Sequence, residues 1–543
     1  MEAVVQAKTR TSTRRKTVSL TIAAVLCATC VMYFYNFGDA PIYLGGDEAR
    51  IATHAYSIAT TGTDLNGRRM PLFVNMTDSP DSKEGSTRWY QPVLFYLEAL
   101  VLKFLPLSES SIRIPTAVIG ILDVFLMYLL ARRLFPDTLY PALAAVTLAV
   151  SPAHFIFSRQ ALDYICPLPF VLGWLLCLAA FLETGSARLS LLAGLLLGVG
   201  FYSYIAAWAM MPVYLLLTWM AQLQSRRASP QSLIAAGVGF ALPLLILVPW
   251  LWWHPDMLRD TIGRYQLYDV RHLSPLQGVK DFLNYNNVQE RISVYWDYFN
   301  PAYLFLAGGS NLTTGTRRAG VFLWPLSVFL VAGISDLWKR RRSPISIVLL
   351  AGLALAPLPA TLVDERYAIQ RELFVLPFGV LISVYGATLL LRQRAFVRLA
   401  AVLLLLAMPI QYAYFAHDYF TDYRIRSASW FDPVNFRDVA EYLIASDSSG
   451  GVPAVYLSRD LDDGAPRWEF YLAKHGREDL RRRTQYFTAD TLDMSKVPAG
   501  SLLVLYANDP KLATLLGAEK CSVTKTVIHA GGSRSAVILR KNV

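Results

Sequence analysis

Apolar stretches of about 20 residues recur over the first three quarters of the chain and constrain its fold more than any other feature. An α-helix needs this length to cross the hydrocarbon core of a bilayer. Hydrophobic residues make up 54% of the 543 residues and charged residues only 17%, which excludes a soluble enzyme of ordinary composition. We therefore predict a mainly α-helical polytopic membrane protein with about 11 transmembrane helices, at 17–37, 111–131, 139–157, 165–183, 188–204, 206–223, 231–253, 319–338, 344–362, 372–391 and 398–416.

The basic residues test this count independently of hydropathy. With eleven spans, the N-terminal tail (1–16) and all the basic connections fall on one side of the membrane, as the positive-inside rule expects. We therefore predict an integral inner or plasma membrane protein with a cytoplasmic N-terminus and an uncleaved first helix. The same distribution argues against a nucleic-acid partner, although the net charge is +11. The connections concerned carry Arg132/Arg133, Arg188, Arg226/Arg227, Lys339 to Arg342, and Arg392/Arg394/Arg398.

The transmembrane domain is predicted at 17–416, with a polar first extracytoplasmic loop at 38–110. Composition changes after the last span, and a C-terminal extracytoplasmic domain is predicted at 417–543, periplasmic if the cell is Gram-negative. Short apolar runs there alternate with helical patterns, which indicates a small α/β domain. A docking or acceptor-shaping role and a purely stabilising role are both open for it. The apolar runs lie at 454–457, 501–506 and 536–539, and the helical patterns at 435–445 and 509–517.

Motifs of several enzyme classes are missing from the sequence. It contains no P-loop, no GxSxG, no HExxH and no GxGxxG followed by an acidic residue. Cys27 and Cys30 have the CxxC spacing but lie inside the first apolar span, where burial as small apolar residues is the ordinary explanation. We therefore predict no cofactor and no metal ligands.

Asp47 and Glu48 are adjacent carboxylates just beyond the first span, where the polar loop begins. One of them could serve as a general base for an acceptor hydroxyl. The alternative is that both favour the N-terminus of a helix, where the macrodipole stabilises negative charge. Arg50 and His54 follow on the same predicted helix. Two amphipathic stretches, 48–60 and 90–105, are expected to lie along the membrane interface.

Two further polar groups lie on the same predicted side of the membrane. Arg159 and Asp163 are four residues apart, hence on one helical face, and either form an ion pair or lie beside reacting groups. Arg366 and Tyr367 precede a late span, where a cation could hold a lipid phosphate as it leaves. The alternative for that second group is a solvated turn.

Taken together, these motifs resemble the GT-C superfamily of membrane glycosyltransferases. The resemblance is to the protein O-mannosyltransferases and the aminoarabinose transferase of lipid A, in glycosyltransferase families 39 and 83. It covers about residues 17–416 in layout. The motifs that carry it are Asp47-Glu-Ala-Arg50, Ser158-Arg-Gln-Ala-Leu-Asp163, Phe299-Asn-Pro-Ala-Tyr-Leu-Phe305 with Gly308, and Arg366-Tyr367.

The resemblance implies that Asp47 is the catalytic carboxylate. It also implies a polyprenyl- or dolichyl-phosphate sugar donor and inversion at the anomeric carbon. The chain departs from the aminoarabinose transferases at Gln91, which stands where they have lysine, so the same donor sugar is not expected. We predict a catalytic set and a substrate-binding set, in which Asp47 is the base, Asp163 positions the acceptor and Arg366 meets the phosphate. These are Asp47, Glu48 and Asp163, and Arg50, Arg88, Arg159, Arg366 and Tyr367, respectively.

The sequence therefore predicts a glycosyltransferase that acts on a lipid, glycan or protein acceptor outside the cytoplasm. A transporter or flippase of a lipid-linked glycan is the main alternative, and a non-catalytic factor that binds the lipid-linked sugar is another. A transporter is expected to carry charges near the bilayer midplane. Here Asp123 is the one conspicuous carboxylate inside a predicted span, and the other candidates gather at the outer surface.

Overall fold

The computed structural model describes residues 20–76, 88–447, 450–488, 492–517 and 520–542. The predicted cytoplasmic tail lies outside these residues. The described chain is mainly helical and divides into two compact units. The first unit contains the chain up to residue 35 together with 116–159 and 163–416. The second contains 36–115, 160–162 and 417–543.

Helices follow one another through most of the chain. They are α1 Leu20–Phe34, α2 Gly46–Thr61, α3 Pro92–Leu102, α4 Glu109–Leu134, α5 Leu139–Ala149, α6 Pro152–Phe157, α7 Leu168–Thr184, α8 Ala187–Gly200, α9 Ala207–Gln224, α10 Pro230–Leu244, α11 Leu247–Trp253, α12 Asp256–Arg264, α13 Pro275–Phe282, α14 Tyr285–Asp297, α15 Leu326–Lys339, α16 Pro344–Leu355, α17 Leu358–Leu362, α18 Ile369–Glu372, α19 Val375–Leu391, α20 Ala395–Asp418, α21 Arg424–Arg426, α22 Ala428–Phe431, α23 Phe436–Ser446, α24 Gly464–His475, α25 Glu478–Arg482 and α26 Lys511–Gly517. A 3-10 helix covers Asp163–Ile165, and π-helical turns cover Tyr303–Ala307 and Tyr419–Tyr423.

Each of the eleven predicted spans contains at least one of these helices. Within the described ranges, five helical segments are long and apolar enough to cross a membrane. The mainly helical fold is thus confirmed, whereas the count of eleven stays a prediction. The five segments are Glu109–Leu134, Asp163–Thr184, Pro230–Trp253, Pro344–Leu362 and Ala395–Arg426.

Glycines bring helices of the first unit into close contact. A Cβ on Gly194 of α8 would lie 2.1 Å from the Ala236 carbonyl oxygen of α10, and one on Gly239 of α10 would lie 2.2 Å from the Leu191 carbonyl oxygen. Only a residue without a side chain permits this approach. In a bilayer, where lipid tails compete with apolar side chains, such backbone packing is a principal source of helix association.

The second unit joins the first loop, which contains α2 and α3, to the C-terminal part of the chain. Strands β1 Val74–Asn75 and β2 Trp89–Tyr90 form an antiparallel pair in the loop. Five further strands form one sheet in the order β4-β3-β5-β7-β6. In this sheet β3 is parallel to β4 and β5, and β7 is antiparallel to β5 and β6. The five strands are β3 Val455–Ser458, β4 Thr484–Phe487, β5 Leu502–Tyr506, β6 Cys521–Ile528 and β7 Arg534–Lys541.

The small C-terminal sheet domain predicted from the sequence is therefore present. Its core is apolar, and Leu503, Leu505 and Leu539 from the two central strands are completely buried in it. Strands β3, β5 and β7 coincide with the predicted apolar runs, and α23 and α26 coincide with the predicted helical patterns. The boundaries assigned to the domains from the sequence stay predictions.

Candidate active site

Helix α2 begins at a pair of glycines, and both candidate carboxylates lie in its first turn. Gly45 is the N-cap residue, and its backbone N–H donates to the Glu48 carboxylate at 2.9 Å. Negative charge in a first turn is stabilised by the helix dipole. Successive residues of a helix point about 100° apart. Asp47 and Glu48 therefore face different surroundings.

The Glu48 carboxylate lies in the interior, and its side chain is only 1% exposed. The Arg113 guanidinium binds both carboxylate oxygens, with Nε at 3.0 Å and Nη2 at 3.1 Å. The backbone N–H groups of Gly45 and Ala161 also donate to it, at 2.9 and 2.8 Å. Arg113 in turn donates to two carbonyl oxygens of the segment before α2, at 3.1 and 3.2 Å. Glu48, predicted as catalytic, is thus placed as the centre of a buried hydrogen-bond network that joins three parts of the second unit.

Asp47 lies on the other side of the same turn, and its side chain is 36% exposed. Its Oδ1 accepts a hydrogen bond from Arg50 Nη1 at 3.2 Å and lies 3.7 Å from Arg88 Nη1. Arg50 and Arg88 were both predicted to bind substrate, and the structure brings both of them to Asp47. The result is a partly exposed carboxylate flanked by two cations.

A residue that the sequence did not single out completes this cluster. Asp463 immediately precedes α24, and its Oδ1 lies 2.5 Å from Arg50 Nη2. Burial raises the pKa of Asp463, but the Arg50 guanidinium outweighs burial and holds that pKa below its usual value. Asp463 is separated from Arg50 by 413 positions, and no local pattern signals the pairing.

The buried side of α2 packs against α3 and holds groups that are neutral near pH 7. Burial, assisted by the nearby charge of Arg68, lowers the pKa of His54 to about 4. Burial and the charge of Glu48 raise the pKa of Glu98 well above its usual value. Among the described residues, neither carboxyl oxygen of Glu98 has a hydrogen-bond partner. These groups belong to the interior and not to the exposed cluster around Asp47.

The prediction that Arg159 and Asp163 share one helical face is wrong. Helix α6 ends at Phe157, and a turn covers 158–162 before the short 3-10 helix begins at Asp163. The Ser158 hydroxyl donates to the His154 carbonyl oxygen at 2.7 Å, and such local bonds compete with continued helix. The buried guanidinium of Arg159 donates to the Tyr33 carbonyl oxygen at 2.5 Å.

Asp163 is buried in the first unit, and its cationic neighbour there is Arg371. Tyr204 and Tyr265 both feel the charges of Asp163 and Arg371. The Arg371 guanidinium lies 5.0 Å from the centre of the Tyr265 ring and forms an ion pair with Glu365. The sequence placed Arg371 in the same turn as Arg366 but gave the phosphate-binding role to the latter.

Arg366 and Tyr367 lie in a turn whose backbone is not helical. The Arg366 side chain is half exposed, and its Nη1 lies 2.5 Å from Asp297 Oδ2. Tyr367 has φ +54°, and its ring lies 5.3 Å from that of Tyr303. A positive φ reverses the direction of the chain in a way that residue spacing does not reveal. Sequence therefore could not tell which arginine of this turn faces the interior.

Within the described ranges, no group of three or more His, Cys, Asp or Glu side chains is arranged to hold a metal ion. The candidate chemistry of the second unit therefore has to be argued from carboxylates and guanidinium groups.

Comparison with known families and structures supports the resemblance drawn from the sequence motifs. Residues 90–253 match the family described as dolichyl-phosphate-mannose-protein mannosyltransferase. The match covers less than half of the chain and includes α3 through α11. Comparison with curated proteins finds no match.

Two solved structures share the fold at low sequence identity. ArnT from Cupriavidus metallidurans in the apo state is 15% identical, with a TM-score of 0.51 over 97% of this chain and 98% of ArnT. The archaeal oligosaccharyltransferase AglB from Archaeoglobus fulgidus, in complex with an inhibitory peptide and a dolichol-phosphate, is 14% identical, with a TM-score of 0.50 over 83% of this chain. The chain spans 64% of the length of AglB, less than two thirds. The predicted resemblance to GT-C glycosyltransferases is thereby confirmed.

Proposed function

We propose that this protein is a membrane glycosyltransferase that moves one sugar from a polyprenyl-phosphate donor to a lipid, glycan or protein acceptor. The observation that carries the proposal is the position of Asp47. It is a partly exposed carboxylate flanked by Arg50 and Arg88 in a chain with the fold of ArnT and AglB. AglB is described in complex with a dolichol-phosphate, which supports a lipid phosphate as the leaving group here.

The chemistry follows from the groups in this cluster. An acceptor hydroxyl is a poor nucleophile, so it needs a base, and Asp47 supplies one. Arg50 and Arg88 both approach Oδ1, and Oδ2 is therefore the oxygen that would take the proton. The acceptor oxygen forms a bond to the anomeric carbon as the bond to the lipid phosphate breaks, with inversion. Two adjacent cations stabilise the negative charge that grows on the phosphate, and no strong general acid is required.

The remaining assignments stay proposals. Asp163 is proposed to position the acceptor, Arg159 to shape the turn before it, and Arg366 and Tyr367 to contact the phosphate. The reaction is proposed to take place on the extracytoplasmic face, with the N-terminus in the cytoplasm. Reporter fusions at residues 340 and 450 test this orientation. They should lie on opposite sides of the membrane, and the same side for both would contradict it.

The function is tested by deleting the gene and comparing envelope glycolipids and glycoproteins by mass spectrometry. One product should lose the mass of a single sugar, and the wild-type gene should restore it while Asp47→Asn should not. An unchanged glycan profile, or full restoration by Asp47→Asn, would overturn the proposal. A flippase leaves the donor bonds intact, so release of polyprenyl phosphate by the purified protein distinguishes a transferase from that alternative.

A further inference from the structure

One guanidinium in the second unit serves two carboxylates that come from opposite ends of the sequence. Arg50 binds Asp47 through Nη1 at 3.2 Å and Asp463 through Nη2 at 2.5 Å. The side chains of Asp47 and Asp463 are both about one third exposed, at 36% and 31%. The Arg50 side chain, at 11%, is largely enclosed. The C-terminal part of the chain therefore contributes a charged group to the cluster that contains the proposed base.

The backbone on both sides is shaped to bring Asp463 to this position. A Cβ on Gly46 would lie 1.9 Å from Asp463 Oδ2 and 2.6 Å from its Cβ, so only glycine at position 46 leaves room for this carboxylate. Asp463 itself has φ +48°, a conformation that costs energy in residues other than glycine. Such strained residues persist where surrounding contacts determine the conformation, and they concentrate at functional sites.

Arg467 supplies those surrounding contacts. It is buried one turn into α24, and its Nη1 donates to the Asp462 carbonyl oxygen at 2.5 Å. Its Nε donates to the Leu44 carbonyl oxygen at 3.0 Å, and its Nη2 donates to that of Phe431. One side chain thus ties the start of α24 to the segment that leads into α2. The separation between Asp463 and Arg50 is fixed from both sides.

We propose that Asp463 is a positioning residue of the reaction centre. By holding the second nitrogen of Arg50, it fixes the guanidinium and, through it, the orientation of Asp47 toward the acceptor hydroxyl. A guanidinium held at one end only could rotate about its side-chain bonds and carry Asp47 with it. A small misplacement of a reacting group can cost about 100-fold in rate. The inference rests on the proposed function of Asp47.

The test uses a substitution that separates backbone strain from charge. Asp463→Gly removes the carboxylate and also suits the positive φ, so the thermal midpoint of the full-length protein in detergent should be unchanged or higher. The kcat for sugar transfer, followed through the product identified by envelope mass spectrometry, should fall roughly 10- to 100-fold. The KM for the donor and the binding of undecaprenyl phosphate should stay within a few-fold. Asp460→Asn, an exposed charge change three residues away, is the matched control and should behave as wild type.

Gly46→Ala provides an independent way to displace the carboxylate. Its methyl group meets only side-chain atoms of Asp463 at short range, so it should reproduce the rate loss in the wild-type background and add little to Asp463→Gly. Wild-type kcat in Asp463→Gly, or a fall in its thermal midpoint that matches the loss of rate, would overturn the inference. If Asp47→Asn is fully active, the proposed function fails. If Asp47→Asn is inactive while Asp463→Gly is fully active, only the inference fails.

Discussion

The two sides of the first turn of α2 place adjacent carboxylates in opposite environments. The Asp47 side chain is 36% exposed and borders two arginines at one edge, whereas the Glu48 side chain is 1% exposed and is hydrogen-bonded on both oxygens. The difference shows that adjacency in sequence does not make a catalytic pair. A rotation of about 100° between neighbours on a helix is enough to send one acid to the surface and the other to the interior.

The energetic roles differ as much as the environments. Desolvation makes a buried ion pair costly to form, and the loss of one partner leaves an uncompensated charge that costs about 3–5 kcal/mol. Exposed ion pairs contribute about 0–1 kcal/mol, because solvent screens them and their side chains lose freedom. Glu48 should therefore matter for stability, and Asp47 for chemistry.

Asp47→Asn should give the largest effect on activity. It keeps the size of the side chain but removes the base, so transfer should fall about 10²- to 10⁴-fold. Undecaprenyl phosphate binding and the thermal midpoint should change little, because only exposed pairs are lost. Rates of product formation and thermal melts of the purified protein measure both quantities. A variant that melts much earlier and loses activity to the same degree would remove the contrast between the two carboxylates.

Glu48→Gln and Arg113→Met should give the largest effects on stability. Each single variant leaves one buried charge without its partner and should lose about 3–5 kcal/mol. The double variant Glu48→Gln/Arg113→Met removes both charges and should recover part of that loss. A double-mutant cycle from denaturant unfolding in detergent measures the coupling. Singles that melt like wild type but fail to transfer sugar would restore the catalytic role predicted for Glu48 from the sequence.

His54 tests the buried side of α2 through its dependence on pH. Its pKa is about 4 in the folded protein and about 6.5 when unfolded, so between these pH values only the unfolded state takes up a proton. Stability contributed by neutral His54 is therefore complete above pH 6.5 and decreases as pH falls toward 4. At about 1.4 kcal/mol per pH unit, the loss reaches about 3 kcal/mol.

His54→Gln should therefore flatten the fall of the thermal midpoint between pH 7 and pH 4.5. His475→Gln, which changes an exposed histidine at the end of α24, should keep the wild-type slope. An unchanged slope in His54→Gln would mean that His54 is accessible to solvent protons, and the contrast between the two sides of α2 would weaken.

Features set by local pattern could be predicted from the sequence. The amphipathic stretches 48–60 and 90–105 correspond to α2 and α3, because the spacing of apolar residues records which face is buried. Apolar runs likewise marked β3, β5 and β7. Strand β6 was missed because it lies at the edge of the sheet and alternates exposed with buried residues, which leaves no continuous apolar run.

The partners of the site residues could not be predicted in the same way. Asp47 and Arg50 are neighbours on one helix, and their ion pair follows from spacing. Arg113 left one signal, since it is an arginine near the start of a predicted span, but nothing connects it to Glu48 before the chain has folded. Asp463 left none. Such long-range pairs depend on how the chain closes, which the local sequence does not encode.

Arg366 and Arg371 repeat the contrast between exposed and enclosed charges within one turn, and Arg366 should give the smallest effect. If Arg366 bound the leaving phosphate, Arg366→Ala would cost roughly 10- to 1000-fold in rate. The structure instead pairs its half-exposed side chain with Asp297, an arrangement that contributes about 0–1 kcal/mol. We therefore expect Arg366→Ala to melt within a few degrees of wild type and to transfer sugar at a rate within about fivefold of it.

Arg371→Gln is the matched comparison, because the Arg371 side chain is largely enclosed between Glu365 and the Tyr265 ring. It should lower the thermal midpoint more than Arg366→Ala does, since the lost cation was shielded from solvent by its neighbours. Initial rates and melts of both variants, measured side by side, decide between the two arginines. A loss of 10-fold or more in Arg366→Ala with an unchanged melt would return the phosphate-binding role to Arg366. It would also show that an exposed ion pair can open to receive the leaving group.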